Sequence, residues 1–192
     1  MLNNLRQAFF KYRSYTPIPL AVGILVYSKP DFSIMWIGFL VLLFGEFIRF
    51  SSVRYAGGAT RTTKVGAPSL CTTGPYAHVR NPLYVGNMLM YTGIVFIAGS
   101  QNIWTMLGFT WAFFILQYSL IVSLEEETLE GLFGVDYLTY RQNVPSLIPR
   151  LRRWENTDTR TPLSFYKTLK TEKRTLQNVL LILILIFLRN YI

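Results

Sequence analysis

The stretch that decides the fold covers residues 81–124, NPLYVGNMLMYTGIVFIAGSQNIWTMLGFTWAFFILQYSLIVSL, and contains no Asp, Glu, Lys or Arg. A single helix of these 44 residues would be about 66 Å long, whereas the hydrocarbon core of a bilayer is about 30 Å thick. The polar cluster at 99–102, Gly-Ser-Gln-Asn, lies near the middle and is typical of a turn. The stretch therefore predicts two antiparallel membrane spans, over 83–99 and 103–123.

Three further apolar segments extend this pattern. Residues 32–48 predict a span that follows the turn Lys29-Pro30-Asp31, and 18–27 predict a shorter one, or else a re-entrant or interfacial segment. The C-terminal hydrophobic helix expected over 176–192 holds ten consecutive apolar residues, VLLILILIFL. That is fewer than the ~20 of a full span, so it is either a short fifth span or a helix packed on the bundle. We predict an all-α integral membrane protein, a bundle of about five transmembrane helices forming one domain over 1–192.

Composition supports this class and excludes others. Hydrophobic residues make up 51% of the 192 residues and charged residues 15%, whereas soluble domains carry about 25% charged residues. An aromatic content of 16% excludes a disordered chain. With one cysteine, Cys71, and one histidine, His78, the chain allows no internal disulfide and no cysteine-rich or multi-histidine metal centre. We expect no metal.

The charges predict the orientation in the membrane. The net charge is +9, and 17 of the 19 Lys and Arg residues precede the first apolar segment, separate spans two and three, or follow span four. Only Lys29 and Arg189 fall on the other side. The positive-inside rule then places the N-terminus, the 49–81 loop and the basic connector at 150–175 in the cytoplasm. Because topology explains the basic charge, we expect the bilayer as partner and no nucleic acid.

Two clusters on the cytoplasmic side carry candidate chemistry. Residues 70–87, LCTTGPYAHVRNPLYVGN, contain a turn and the start of a helix, whose first N–H groups suit a carboxylate. The alternative is an interfacial loop followed by an aromatic membrane belt. Residues 125–140, EEETLEGLFGVDYLTY, put four of the ten acidic residues into six positions. They require cationic partners, either neighbouring Arg and Lys side chains or a cationic ligand.

The order of these motifs resembles the isoprenylcysteine carboxyl methyltransferase family. The matching elements are GPYAHVRNPLYVG at 74–86, Glu125-Glu126, FGVDYLTY at 133–140 and VPSLIP at 144–149. The pattern is similar, more distantly, to phospholipid N-methyltransferases of the same membrane superfamily. The resemblance covers about 60–150, the catalytic half. It implies methyl transfer from S-adenosylmethionine to a lipid-borne acceptor, with a cofactor pocket at the cytoplasmic ends of the last helices.

The resemblance also implies the residues of the site. Its cofactor contacts map to Pro68, Ser69, Leu70, Cys71, Tyr76, Asn81, Pro82, Leu83, Tyr84 and Glu125, with Arg61 as a weaker contact. Two departures stand out: Asn81 replaces the usual histidine of the carboxyl methyltransferases, and Ile121 occupies the place of their substrate-binding arginine. The second departure puts the acceptor in question.

Chemistry assigns roles within this set. A carboxylate acceptor needs no base, whereas an amine must lose a proton, and we predict Tyr84 and Glu126 as the catalytic residues. Glu125 is expected to matter most for donor binding, and His78 to be non-catalytic. The alternative function is a non-catalytic membrane scaffold that retains this fold. A transporter is disfavoured, because Glu46 is the only charge within a predicted span and lies three residues from Arg49, as in an ion pair.

Overall fold

The part of the chain that the structure describes contains seven α-helices and the 3₁₀ turn that matters for the site. The computed structural model describes residues 2–58, 62–155 and 157–189, and this part of the chain contains no strand. The helices are α1 (Leu2–Tyr12), α2 (Ile18–Val26), α3 (Phe32–Ala56), α4 (Pro82–Ala98), α5 (Ile103–Phe133), α6 (Val135–Asn143) and α7 (Phe165–Arg189), and the 3₁₀ turn is Gly74–Ala77. The all-α class predicted from the sequence is therefore confirmed.

Helices α3 and α4 form the centre of the bundle because two pairs of glycines bring their backbones together. Gly38 and Gly45 on α3 face Gly93 and Gly86 on α4. A Cβ added at Gly45 would lie 2.7 Å from the backbone nitrogen of Met90, and one at Gly93 would lie 2.5 Å from that of Leu42. Small residues at such positions allow the close helix contact on which packing in lipid depends.

The predicted turn at 99–102 is confirmed, since α4 ends at Ala98 and α5 begins at Ile103. The backbone N–H of Lys29 donates to the carbonyl of Ala98 over 2.9 Å. Arg189, at the end of α7, donates to the carbonyl of Leu25. Lys29 and Arg189, the two cations set apart by the charge pattern, therefore lie at one end of the bundle.

Among the described residues, two helices are long and apolar enough to cross a membrane, α3 with 25 residues and α5 with 31. Helix α4 is apolar but shorter, with 17 residues and a length of about 25 Å. Large apolar side chains of α3 and α5 point outward and are more than half exposed: Trp36, Leu40, Phe44, Phe47, Phe109, Ile115 and Leu116. Such a surface suits lipid rather than water.

The structure changes the predicted boundaries. Helix α2 has nine residues and is about 13 Å long, less than half of the bilayer core. Helix α7 begins at Phe165, inside the predicted connector, and joins a charged half to an apolar half. Residues 190–192 lie outside the described part. Within that part, only α3 and α5 meet the criteria for a span, so the predicted five-span bundle is not established.

Helix α5 is longer than the sequence predicted. Its predicted span ended at residue 123, whereas the helix runs to Phe133 and ends at Gly134, whose φ is +52°. The acidic cluster therefore lies within this helix rather than after it. A 31-residue helix is about 46 Å long, so its last turns extend beyond a bilayer core of ~30 Å.

Candidate functional site

A cavity lies at the end of the bundle opposite the turn at 99–102, between the end of α3, the loop that follows it, the start of α4 and α5. Eleven of the twelve site residues predicted from the sequence line it: Pro68, Ser69, Leu70, Cys71, Tyr76, Asn81, Pro82, Leu83, Tyr84, Glu125 and Glu126. The twelfth, Arg61, lies outside the described residues. The structure thus brings together segments that are separated by more than 50 residues in the sequence.

The 3₁₀ turn places Tyr76 in the cavity. Gly74 has a φ of +60°, and a Cβ there would lie 2.5 Å from the ring of Tyr55, so glycine is required on both counts. The carbonyl of Tyr76 accepts a hydrogen bond from the Tyr140 hydroxyl over 2.8 Å. Burial raises the pKa of the Tyr76 phenol, which therefore remains neutral at physiological pH.

The start of α4 is fixed by the segment that carries the VPSLIP motif. The backbone N–H of Arg80 donates to the Pro145 carbonyl over 2.8 Å, and that of Asn81 donates to the Ser146 carbonyl over 3.2 Å. The Asn81 amide Nδ2 also donates to Ser146 Oγ over 3.1 Å. Asn81, which replaces the expected histidine, is therefore held in place by its hydrogen bonds to Ser146. Tyr84 follows one turn into the helix.

The four acidic residues of α5 have different partners. Glu126 pairs with Arg80 at 2.8 Å, Glu127 with Arg6 at 2.5 Å and Glu130 with Arg141 at 3.1 Å. Neighbouring arginines thus partner three of the four acids.

Glu125 differs from the other three acids. Within the described part of the chain it forms no ion pair, and its Oε2 accepts a hydrogen bond from the Tyr84 hydroxyl over 2.8 Å. It also lines the cavity. Glu125 is therefore the one acid of this cluster without an arginine partner among the described residues, and its importance for donor binding stays a prediction.

A buried network connects α7 with the cavity. Arg49 donates to Glu172 over 2.8 Å and to Asn87 over 2.7 Å, and Glu172 is fully buried. Asn87 donates to the Tyr118 hydroxyl over 3.0 Å, and the Tyr118 ring stacks on Tyr84 with centroids 4.4 Å apart. The predicted pairing of Arg49 with Glu46 is wrong: Arg49 pairs with a residue 123 positions away, which brings α7 against α3.

Sequence reasoning missed several lining residues. Arg160 in the connector lines the cavity, and so do Ala56, Gly66, Ala67, Arg80, Leu129, Tyr137 and Tyr140. The three-residue spacing of Tyr137 and Tyr140 was a usable signal, because it puts both rings on one face of a helix. Nothing local distinguishes Arg160 from the other arginines of the connector.

The structure also shows the surroundings of His78, Ile121 and Cys71. His78 Nδ1 lies 3.0 Å from the Arg150 carbonyl, and His78 is not among the residues that line the cavity. Ile121, in place of the expected arginine, is fully buried against Phe114 and Tyr118. Burial raises the pKa of the Cys71 thiol, so Cys71 lines the cavity as a neutral group rather than as a nucleophilic thiolate.

Comparison with known proteins identifies the family. The model of the phospholipid methyltransferase family matches residues 33–136, more than half of the chain. The chain is 30% identical over 126 residues to the protein-S-isoprenylcysteine O-methyltransferase of Dictyostelium discoideum, covering 64% of this chain and 52% of that protein. It is 35% identical over 120 residues to that of Schizosaccharomyces pombe, covering 59% and 48%.

A third relative is named for a different activity. The methanethiol S-methyltransferase 2 of Bradyrhizobium diazoefficiens is 28% identical over 158 residues, covering 79% of this chain and 58% of that protein. The chain spans about half the length of the curated relatives it matches. No solved structure matches it. From the family match and the ordered motifs around one cavity, we conclude that this chain belongs to the phospholipid methyltransferase family.

Proposed function

We propose that the protein is an integral membrane methyltransferase that transfers a methyl group from S-adenosylmethionine to a lipid-borne acceptor. The observation that carries the proposal is the cavity, in which residues from every motif of the resemblance except VPSLIP meet at one end of an apolar bundle. The VPSLIP segment supports the site by forming hydrogen bonds that hold the start of α4. A site at the end of such a bundle is accessible to a donor from water and to an acceptor from lipid.

The residues around the cavity fit the donor chemically. Its adenine is a flat ring, and Tyr76, Tyr137 and Tyr140 provide aromatic walls. Its ribose hydroxyls and ammonium group are hydrogen-bond donors, and Glu125 provides a carboxylate without an ionic partner in the described part of the chain. When bound, the donor supplies a methyl group on a positively charged sulfonium. The predicted cofactor contacts are proposed as its binding residues, with Arg61 among them.

The protein's own contribution is alignment. Holding two reactants in line contributes about 7–11 kcal/mol to lowering a barrier, without a metal or a covalent intermediate. Tyr84 is fixed for this purpose by its hydrogen bond to Glu125 and by stacking on Tyr118. These contacts hold its ring between α4 and α5, in the lining of the cavity.

Proton removal is required only for an amine acceptor. Tyr84 and Glu126 were the residues predicted for it, and their partners differ. Glu126 is ion-paired with Arg80, whereas Glu125 accepts a hydrogen bond from the Tyr84 hydroxyl. We therefore propose that the Tyr84–Glu125 pair accepts the proton of an amine acceptor. Glu126 has a positioning role.

The identity of residue 121 bears on the class of methyl acceptor. The isoprenylcysteine carboxyl methyltransferases have an arginine at this place, and here the buried isoleucine provides no partner for a carboxylate. We propose a lipid-borne acceptor of either the phospholipid amine or the isoprenylcysteine-carboxylate type. The isoleucine favours the amine.

We also propose that the protein spans the membrane several times, with its N-terminus and cavity in the cytoplasm. The charge pattern supports this orientation, because Lys29 and Arg189 lie together at the end remote from the cavity. The other 17 cations precede, separate or follow the spans on the opposite side.

The test is donor binding followed by an acceptor panel. The full chain in detergent is titrated with S-adenosylmethionine by calorimetry and then incubated with methyl-labelled donor and phospholipids, prenylcysteine analogues or methanethiol. We expect saturable donor binding and label in one lipid class. Binding without transfer would support the non-catalytic scaffold, and label in methanethiol alone would contradict a lipid acceptor. Absence of donor binding to a folded protein would contradict the proposal.

A further inference from the structure

The connector between α6 and α7 is fastened to the wall of the cavity. Asp158 Oδ2 accepts hydrogen bonds from the Thr72 backbone N–H over 3.1 Å and from Thr72 Oγ1 over 3.3 Å. Asp158 Oδ1 accepts from the backbone N–H of Arg160 over 3.0 Å. These bonds fix the backbone of Arg160 beside the segment 68–73, which forms one wall of the site.

The side chain of Arg160 reaches the cavity and donates there to neutral acceptors. Its Nη2 donates to Ser69 Oγ over 2.8 Å and to the Leu70 carbonyl over 3.0 Å, and both acceptors are neutral. Within the described residues Arg160 forms no ion pair. Arg80, the other arginine of the cavity, is paired with Glu126. Arg160 is therefore the cationic group with which an anionic part of a ligand would pair.

The start of α4 is a poorer partner for such an anion than the sequence suggested. Pro82 has no N–H, and the N–H of Asn81 donates to the Ser146 carbonyl. The N–H groups of Tyr84 and Val85 both donate to the Asn81 carbonyl. Backbone groups that already have acceptors contribute little to binding a full negative charge, whereas a guanidinium binds carboxylates in two-point geometry.

The cavity thus presents opposite charges from different elements, Glu125 from α5 and Arg160 from the connector. This arrangement matches a ligand that carries both a carboxylate and a cationic group. We propose that Arg160 binds the α-carboxylate of the methyl donor, so that the connector completes the donor site. The proposal rests on the proposed function, and it names a binding residue in a segment outside the matched family region of 33–136.

The test compares two donors that differ only in the carboxylate, S-adenosylmethionine and its decarboxylated analogue. Dissociation constants are measured for the full chain and for the variants Arg160→Gln and Arg160→Lys. The control is Arg153→Gln, which changes an exposed arginine of the same connector. Thermal unfolding of each variant reports whether it folds.

We expect Arg160→Gln to weaken S-adenosylmethionine binding by about 10- to 100-fold, the range of a charge-assisted hydrogen bond. The decarboxylated analogue should bind to this variant and to the wild type with equal affinity. Arg160→Lys should lose less than Arg160→Gln, and it provides the test if the glutamine variant does not fold. Arg153→Gln should change neither affinity.

Three results would overturn the assignment. If Arg160→Gln weakens the binding of both donors equally, the Arg160 side chain only holds Ser69 and Leu70 in place and does not bind the carboxylate. Unchanged affinity for both would remove it from the site. A wild-type protein that binds neither donor would overturn the proposed function as well, and this outcome is distinct from the first two.

Discussion

At the scale of single residues, Glu125 is the acidic residue expected to matter most for donor binding. Its neighbours in the acidic cluster have arginine partners, whereas Glu125 forms no ion pair within the described residues, accepts a hydrogen bond from the Tyr84 hydroxyl and lines the cavity. Glu125→Gln should weaken donor binding by about tenfold or more, as expected for loss of a charge-assisted hydrogen bond. Calorimetric titration measures this, with Glu130→Gln as the matched control. Equal effects of the two changes would contradict a specific role for Glu125.

His78 provides the opposite prediction. Its ring contacts the Arg150 carbonyl and lies outside the lining of the cavity. His78→Gln should keep most of the methyl transfer activity, because glutamine retains a hydrogen-bonding group. An activity assay at saturating donor checks this. A loss beyond about 100-fold, the scale of removing a general acid–base group, would show that the imidazole takes part in the reaction.

The residues of the site were predictable to different degrees, for a physical reason. Motifs that lie within a few residues of one another, such as Asn81 to Tyr84, have a local signature. The pairing of Arg49 with Glu172 joins residues 123 positions apart, and so it depends on how α7 packs rather than on local sequence. Arg160 is a similar case, because its importance arises from where the connector folds.

At the scale of elements, the glycine contact between α3 and α4 is the most sensitive feature. A Cβ at Gly93 would lie 2.5 Å from the Leu42 nitrogen and 2.6 Å from the Gly38 carbonyl oxygen, both backbone atoms. Gly93→Ala should therefore destabilise the fold by about 1–3 kcal/mol, the cost of overpacking. Thermal unfolding in detergent measures it. Gly108→Ala is the control, because nothing lies within 4 Å of a Cβ there; equal unfolding temperatures would contradict the close contact.

The buried pair of Arg49 and Glu172 gives a second prediction at this scale. Removing one partner leaves a buried charge uncompensated, so Glu172→Ala should cost about 3–5 kcal/mol of unfolding free energy. The double variant Arg49→Met/Glu172→Leu should recover much of that loss, because it buries no charge. Chemical denaturation of both variants measures the difference. A double variant as unstable as the single one would show that the pair itself holds α7 in place.

The helix boundaries explain what the sequence could predict of the elements. The uncharged stretch gave the turn at 99–102, because polar residues interrupt an apolar run there. The extension of α5 to Phe133 was missed, because charged residues end an apolar stretch without ending a helix. Its acidic side chains form ion pairs with other elements, and Gly134 then ends the helix with a positive φ that favours glycine.

At the scale of the whole molecule, the charge distribution predicts how the bundle sits in the membrane. A cysteine at Ser100, in a Cys71→Ser background, should react with an impermeant thiol reagent added outside intact cells. A cysteine that replaces the exposed Arg153 should react only after lysis, since this position lies at the end of the bundle that holds the cavity. The reverse pattern of labelling would invert the proposed orientation.

The central claim is that the cavity transfers methyl groups to lipid. The most direct measurement follows tritium from the methyl group of S-adenosylmethionine into a chloroform-extractable fraction, using the purified full chain and total membrane lipids. We expect protein-dependent, saturable label in the lipid fraction that falls by about tenfold or more with Glu125→Gln at subsaturating donor. A folded protein that binds the donor and leaves the lipid fraction unlabelled would contradict it.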